Sequence, residues 1–472
     1  MSADYFDTTI GEQLTLQRGF DITKKQQIPG DVPVVSSGGI ASYHNESKVK
    51  GPGVVLGRKG TLGTVFFIEE DYWPHDTSLW VKDFKGNNPR FVYYFFKSIT
   101  TIIKKMDVGA ANPALNRNHV HPMEVKWPVR EVQDYIVEVL AKLDDKIELN
   151  RQTNQTLEHM AQAIFKSWFV DFEPTRAKAQ ARAHIAKGIM PDDEVFTDTL
   201  NIADDSQAAG AQQPLPKNFS RADADQLVER AAMAAISGKP LSELENLSPG
   251  TLEQLKTTAA LFPETLVDSE LGEIPVEWDW SEIGNEVTVV GGGTPSTKKE
   301  EYWENGHISW TSPKDMSNLT DKILLDTSRK ITDAGLAKIS SGLLPKNTVL
   351  MSSRAPVGYL AIAKIPVAIN QGYIAMKCEG ELTPEYVLQW AESVMDDIKQ
   401  RASGTTFAEI SKKSFKIIPI VVPESKVIKG YTVMVSTLYE KIAGLLKEAS
   451  ELIDIRDSLL PKLLSGEIEL EG

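Results

Sequence analysis

A single cysteine, Cys378, serves a chain of 472 residues. One thiol cannot close an internal disulfide or build a thiolate metal site, and its rarity fits a reducing, cytoplasmic setting. No apolar run reaches the roughly 18 residues of a bilayer span, so no membrane helix is expected. The opening MSADYFDTTIGEQL has neither a basic stretch nor an apolar core, so no signal peptide is expected. Catalytic signatures are missing too. There is no GxxxxGK[ST], HExxH or GxSxG, no Cys/His zinc spacing and no GxGxxG after a strand. GGGTPS (291–296) is Gly-rich, but no helix-opening pattern follows and it reads as a turn. NPAL (112–115) lacks the aromatic that would stack a flipped base in an amino-methyltransferase and also reads as a turn. Seven histidines are scattered along the chain. His119 and His121, two apart, are expected on one side of a strand; with no third ligand they make no metal site.

What is present is a soluble, globular composition, 41% hydrophobic and 25% charged, on a chain too long for one core. Acid exceeds base, for a net charge of −14. The excess is concentrated: residues 173–275 hold nine Lys and Arg against seventeen Asp and Glu. Residues 1–128 carry 15 against 13, and 276–423 carry 16 against 18. Each of these near-neutral windows can present a basic face, so nucleic acid is permitted as a partner. The acidic middle mixes Ala-rich patches (RAKAQARAHIAKG) with turn-rich ones (DDSQAAGAQQPLPKN). We read it as an acidic, partly helical linker.

The flanking windows repeat one another. GAANPALNRNHVHPMEVKWPVREVQDYIVEVLAKLDDKI (109–147) aligns without a gap on GTTFAEISKKSFKIIPIVVPESKVIKGYTVMVSTLYEKI (404–442), an offset of 295. That offset places Gly63 of GRKGTLG on Gly358 of SRAPVG. GEQLTLQRG (11–19) matches GNEVTVVGG (284–292) at an offset of 273. The second copy is therefore about twenty residues longer within its first half. Each copy opens with short β-branched and aromatic runs separated by Gly and Pro, which read as strands and turns. A proline, Pro128 or Pro423, then ends the last strand, and a helix follows.

In the first helix Ile136, Leu140, Leu143, Ile147, Asn150, Asn154, Leu157, Ala161, Ile164 and Trp168 alternate in steps of four and three. In the second, Tyr431, Val435, Leu438, Ile442, Leu445, Ala449, Leu452, Arg456, Leu459 and Leu463 do the same. That period belongs to a coiled-coil seam. One apolar stripe on so long a helix needs a cover, and the repeat supplies it in the other helix. Two separate amphipathic helices, each on its own domain, is the competing arrangement. Asn150 and Asn154 either fix the register or mark a break. The expected fold is α+β: two similar strand-rich globular domains (1–128 and 276–423) joined by two long helices (129–172 and 424–472). The helices pair as an antiparallel coiled coil, pseudo-twofold, with the linker at 173–275.

A non-catalytic scaffold with two similar domains suits double-stranded DNA, where half-sites recur about every 34–36 Å. In copy one the candidate contacts are Lys24, Lys25, Arg58, Lys59, Arg117 and Asn118. In copy two they are Lys298, Lys299, Arg354, Asn370, Gln371, Thr405, Lys412 and Lys413. Arginine reads guanine with two donors, asparagine and glutamine read adenine, and lysine pairs hold phosphates. Arg58 and Arg354, at aligned turns, lead this set.

Taken together, the repeated strand domain with its Gly-turn-Arg signature, the Pro-then-heptad junctions and AIFKSWFVDFEP (163–174) resemble the DNA-specificity (S) subunit of a type I restriction–modification enzyme. LFPETLVDSELGEIPVEWDW (261–280) also resembles the entry to that family's second target-recognition domain. The resemblance covers most of the chain; the acidic 175–260 stretch departs from it. It implies a chain that is not an enzyme and binds no cofactor. Two DNA-methyltransferase subunits would use S-adenosylmethionine, and restriction/translocase subunits would use ATP and Mg, in phage defence. Each recognition domain would read one half of a bipartite asymmetric site. Phe165, Trp168, Phe169 and Phe172 are then expected to dock on a methyltransferase subunit, the alternative being packing on the chain's own second recognition domain. A protein-binding adaptor with no DNA role, and a nuclease with an unrecognised site, are the competing functions.

Overall fold

Two aliphatic runs, Gly53–Gly57 and Thr348–Ser352, become fully buried central strands of two sheets of like design. The computed structural model describes residues 5–105, 114–191, 213–317, 319–354, 356–404 and 408–468. The chain forms two units: Met1–Asn150 with Glu448–Gly472, and Arg151–Lys447.

Among its described residues the first unit carries nine strands: β1 (Tyr5–Thr9), β2 (Thr15–Arg18), β3 (Val32–Ser36), β4 (Gly39–His44), β5 (Gly53–Gly57), β6 (Val65–Ile68), β7 (Trp73–Pro74), β8 (Ser78–Asp83) and β9 (Glu124–Pro128). An antiparallel sheet runs β2-β8-β5-β6, and a smaller one runs β4-β3-β7 with β3 and β7 parallel. β1 and β9 close the domain as an antiparallel ribbon, Tyr5 opposite Pro128. The helix Pro89–Ser98 starts where Asn88 accepts from the Arg90 and Phe91 amides, with proline at its first turn. It lays Phe91, Val92, Phe95 and Phe96 on the core with Trp127.

The second unit repeats this plan with β10 (Leu266–Ser269), β11 (Gly272–Pro275), β12 (Asp279–Glu282), β13 (Thr288–Gly291), β14 (Ile308–Thr311), β15 (Ile323–Leu324), β16 (Arg329–Ile331), β17 (Thr348–Ser352), β18 (Leu360–Ala363), β19 (Ala368–Ile369), β20 (Tyr373–Lys377) and β21 (Pro419–Val422). Its sheets run β13-β20-β17-β18-β15 and β16-β14-β19, with β12 and β21 as the closing ribbon. The offset of 295 carries β5, β6 and β7 onto β17, β18 and β19, and helix 89–98 onto helix 384–393. The surplus of the second copy lies between β14 and β17. There β15 adds a fifth strand beside β18.

Both repeated glycine pairs have a steric cause. A Cβ on Gly19 would lie 2.1 Å from the His75 carbonyl oxygen, and on Gly292 2.0 Å from that of Ile369. Gly63 and Gly358, at φ of +75° and +109°, turn the chain after β5 and β17 where a side chain would be strained.

The long helices run Arg130–Phe169 and Ser425–Ser465. In the first unit their segments lie antiparallel, with Asp144 beside Arg456 and Asn150 beside Glu448. The second unit likewise sets Glu158 beside Tyr439 and Phe165 beside Tyr431. Asn150 and Asn154 are buried and break nothing; the first helix passes through both.

The segment predicted as a linker is largely folded. Helices Glu173–Ala186, Arg221–Ser237 and Pro249–Ala259 and the β10–β11 hairpin belong to the second unit. Ser220 and Asp223 form a capping box at one helix start. The Lys178 ammonium is buried, donating to Glu229 at 2.8 Å and the Phe262 carbonyl at 2.9 Å. Residues 192–212, which include the first part of the turn-rich stretch DDSQAAGAQQPLPKN (204–218), lie outside the described residues.

Candidate nucleic-acid interface

In each unit three elements meet: the end of the central strand (β5 or β17), the segment leading into its neighbour (β8 or β20), and the start of a short helix. Backbone hydrogen bonds fix the junction identically. Arg58 donates to the Thr77 carbonyl at 2.9 Å and accepts from the Leu115 amide at 2.9 Å. Ser353 donates to Gly372 at 2.8 Å and accepts from Ile410 at 3.0 Å. The short helices Arg117–Val120 and Lys412–Lys416 begin at Asn116 and Ser411, whose side chains cap their own first turns.

This geometry corrects one expectation. Ser353, not Arg354, stands where Arg58 does; Arg354 is the counterpart of Lys59. Lys59 bridges to Ala114 and Arg354 to Glu409, the same pairing one copy on. Arg117 and Lys412 are counterparts, as are Asn118 and Lys413. The equivalent positions therefore carry different chemistry on one backbone frame.

In the first unit Arg58 Nη1 reaches the Asp76 carbonyl at 3.4 Å, and Arg18 Nη2 bonds the Asp76 carboxylate at 2.6 Å. Burial opposes charge on Asp76. The Arg18 hydrogen bond and the charges of His75, Arg18 and Lys59 outweigh it and hold the carboxyl below its ordinary range. Asp21, His75 and Asp76 place ligand-type atoms within 4.8 Å of one another. The guanidinium already on Asp76 makes this an ion-pair network rather than a metal centre. Arg18 and Asp76 were missed in the sequence because they come together only through pairing of β2 with β8.

In the second unit Asn370 Nδ2 donates to Thr294 Oγ1 at 2.6 Å, and the Thr294 hydroxyl donates to Gln371 Oε1 at 2.5 Å. Gly372 donates to Asn370 Oδ1 at 2.7 Å. Arg354 Nη1 lies 3.8 Å from Glu409. Gln371, Ser353, Glu409 and Lys412 line one cleft of about 200 Å³. Arg354, Asn370, Gln371 and Lys412 are thus brought together, with Thr294 and Glu409 as members the sequence did not single out. Lys413 is exposed on the same short helix.

Other predicted residues stand apart. Lys24 and Lys25 are exposed in the turn after β2. Lys298 is exposed, and Lys299 is engaged locally with Glu301 and over the Tyr302 ring. Thr405 lies outside the described residues, as do Asn112 and Pro113 of NPAL. His119 and His121 are not on a strand: the first is helical and the second caps that helix, accepting from the Leu16 amide at 3.0 Å. Burial, then the charges of Arg117 and Lys85, lowers the His121 pKa.

The aromatic quartet is also corrected. Phe165, Trp168, Phe169 and Phe172 are 2–7% exposed and belong to the core of the second unit. Phe165 and Phe169 meet Tyr386, Trp168 meets Phe262 edge-on at 4.9 Å, and Phe172 meets Trp278. Apolar area this well covered offers no docking face, so packing on the chain's own second recognition domain is the arrangement found.

Comparison with known proteins accords with this architecture. The family described as "Type I restriction modification DNA specificity domain" matches residues 7–159 and 275–450, both repeats with most of both long helices. The specificity subunit of the type I restriction enzyme HindI of Haemophilus influenzae is 30% identical over 367 residues, 75% of this chain and 71% of its own length. That of MjaIX of Methanocaldococcus jannaschii is 36% identical over 158 residues, 33% of this chain and 36% of its own. The type I restriction–modification S subunit from M. genitalium shares the fold at 15% identity, with a TM-score of 0.51 over 100% of this chain and 98% of its own. No helix among the described residues is long and apolar enough to cross a membrane. With both repeats matched, the chain belongs to the type I restriction modification DNA specificity domain family.

Proposed function

We propose that this chain is the DNA-reading, non-catalytic subunit of a cytoplasmic type I restriction–modification enzyme. It reads a bipartite, asymmetric site in double-stranded DNA, one half through each unit. Two DNA-methyltransferase subunits and the restriction/translocase subunits assemble with it and are directed to that site. S-adenosylmethionine, ATP and Mg belong to those partners, and this chain binds no cofactor.

One observation carries the reading: the same three-element junction occurs in both units with different side chains on it. Lys59 corresponds to Arg354, His75 to Asn370, Asp76 to Gln371 and Arg117 to Lys412 in the repeat. A shared frame gives both units one approach to the duplex. Unlike donors and acceptors on it read unlike sequences, since each base pair shows its own pattern in the major groove. Catalysis needs no place in this scheme.

The test is co-expression with the methyltransferase subunits and single-molecule mapping of methylated adenines across a host genome. A two-part motif with a fixed gap is expected. An intact, methyl-donor-supplied complex that leaves no motif would overturn the reading in favour of a protein adaptor.

A further inference from the structure

The small sheet of the second unit sets an arginine over two indoles. Trp303 and Trp310 meet edge to face, centroids 5.1 Å apart. The Arg329 guanidinium carbon sits 3.5 Å from the Trp303 ring centroid and 5.5 Å from that of Trp310. Both indoles are themselves fixed: Trp303 Nε1 donates to the Ser296 carbonyl and Trp310 Nε1 to that of Gly293, each at 3.1 Å. Arg329 lies on β16 opposite Trp310 and is exposed.

No acidic side chain pairs with Arg329 among the described residues, whereas its neighbour Lys330 is paired with Asp326 and Lys299 with Glu301. A guanidinium lying against an indole has one face covered and its donor edge free. Packed against the indole, it has less rotamer entropy to lose than a free arginine, which favours a planar, two-donor contact. Its place is continuous with the candidate interface. Gly293, which receives the Trp310 indole, precedes Thr294, which holds Asn370 and Gln371; Asn370 in turn donates from its amide to Thr311, next to Trp310.

In the first unit β3 takes the place of β14. Val34 pairs with Trp73 of β7 as Trp310 pairs with Ala368 of β19, and Val34's partner on β4 is Ser42. The first unit therefore has Ser42 where the second has Arg329, and Val34 where the second has Trp310.

We propose that Arg329 is a base-reading residue of the second unit, taking the acceptor edge of a guanine in the half-site that this unit reads. The inference rests on the DNA-reading function proposed above. The test uses the full chain co-expressed with its methyltransferase subunits and a random-sequence duplex library, comparing wild type, Arg329→Lys, Arg329→Ala and Arg354→Ala. Lysine keeps the charge but loses the two-donor fork. Both Arg329 variants are expected to lose about 5- to 150-fold discrimination at one position, within the half of the motif that Arg354→Ala also alters. The other half should be unchanged.

A motif identical to wild type in both Arg329 variants overturns the inference while leaving the DNA-reading function intact. Uniform weakening across all sequences also overturns it, because it assigns Arg329 to phosphate. A wild-type complex that selects no motif overturns the function and this inference together. Circular dichroism of the variants, expected to match wild type, checks that the exposed edge-strand substitution leaves the fold in place.

Discussion

Arg456 of the second long helix places Nη1 2.7 Å from Asp144 Oδ1 of the first, and the other Asp144 oxygen accepts from the Tyr94 hydroxyl at 2.7 Å. One carboxylate thus ties both helices to the recognition domain of the first unit. The pair is 13% and 19% exposed, so it is poorly screened. Its neighbour Asp145 faces Arg90 but is 67% exposed. Asp144→Ala should therefore cost roughly 1–3 kcal/mol, since it takes the acceptor from a buried hydroxyl and leaves the Arg456 guanidinium to the more exposed Asp457 carboxylate. Asp145→Ala should cost under about 1 kcal/mol. Urea unfolding of the two variants checks this, and equal losses would refute the distinction.

That pair also shows where sequence reading succeeded and where it stopped. Arg456 was placed in the seam by its spacing alone, because a heptad pattern is local and repeats. The 295-residue offset exposed the architecture for the same reason: two copies of one pattern are visible without tertiary information. Asn150 and Asn154 left two outcomes open, because a buried amide and a helix break look alike until a partner such as Glu448 is in view. The DNA face was harder. Arg58 and Arg354 were matched as arginines, but the strand register sets Arg354 on Lys59, and one residue along a strand reverses the direction of a side chain. Arg18, Asp76 and Arg329 gave no local signal, since their neighbours are brought by β-pairing from distant parts of the chain. The four aromatics of SWFVDFEP and its preceding turn seemed too many for a helix end only because Tyr386, Trp278 and Phe262, which cover them, lie about 90 to 220 residues further on.

Trp168 tests that cover directly. It is 2% exposed and packed on Phe262 and Tyr431. Trp168→Ala should destabilise the second unit by about 3–5 kcal/mol, even in the isolated chain. Val170, 45% exposed nearby, should accept alanine within about 0.5 kcal/mol. Thermal unfolding without any partner subunit separates the two. A Trp168→Ala chain as stable as wild type, yet unable to assemble, would restore the aromatic cluster as a docking face.

Asp315 pins the segment that carries Arg329. Its carboxylate accepts from the amides and hydroxyls of Ser312 and Ser328, the residue before Arg329. Burial opposes its charge, but the Ser328 and Ser312 hydrogen bonds prevail and hold the carboxyl below its ordinary range. A carboxyl with a depressed folded pKa stabilises the fold above the unfolded value, and that contribution fades as pH falls through the folded value. The advantage of wild type over Asp315→Asn should be constant from neutral pH to about pH 5 and shrink towards about pH 3. Urea midpoints of both proteins across that range give the answer; an advantage that does not change would remove Asp315 as a charged anchor.

Lys59 and Arg354 occupy one position of the repeated frame with different chemistry, so their losses should differ in kind. An ammonium is a point charge suited to phosphate, and a guanidinium is a planar fork suited to a base edge. In the complex with methyltransferase subunits, Lys59→Ala should weaken binding to all sequences and reduce the salt slope by about one. Arg354→Ala should cost roughly 1–3 kcal/mol, with preference relaxed at one position of one half-site. Glu409 lies 3.8 Å from Arg354 and competes with any other acceptor for the guanidinium, so Glu409→Gln should strengthen binding modestly at low salt without changing the motif. Titrations at several salt concentrations on cognate and half-substituted duplexes distinguish these outcomes. Identical salt slopes and an unchanged motif in both alanine variants would mean that this junction does not face the DNA.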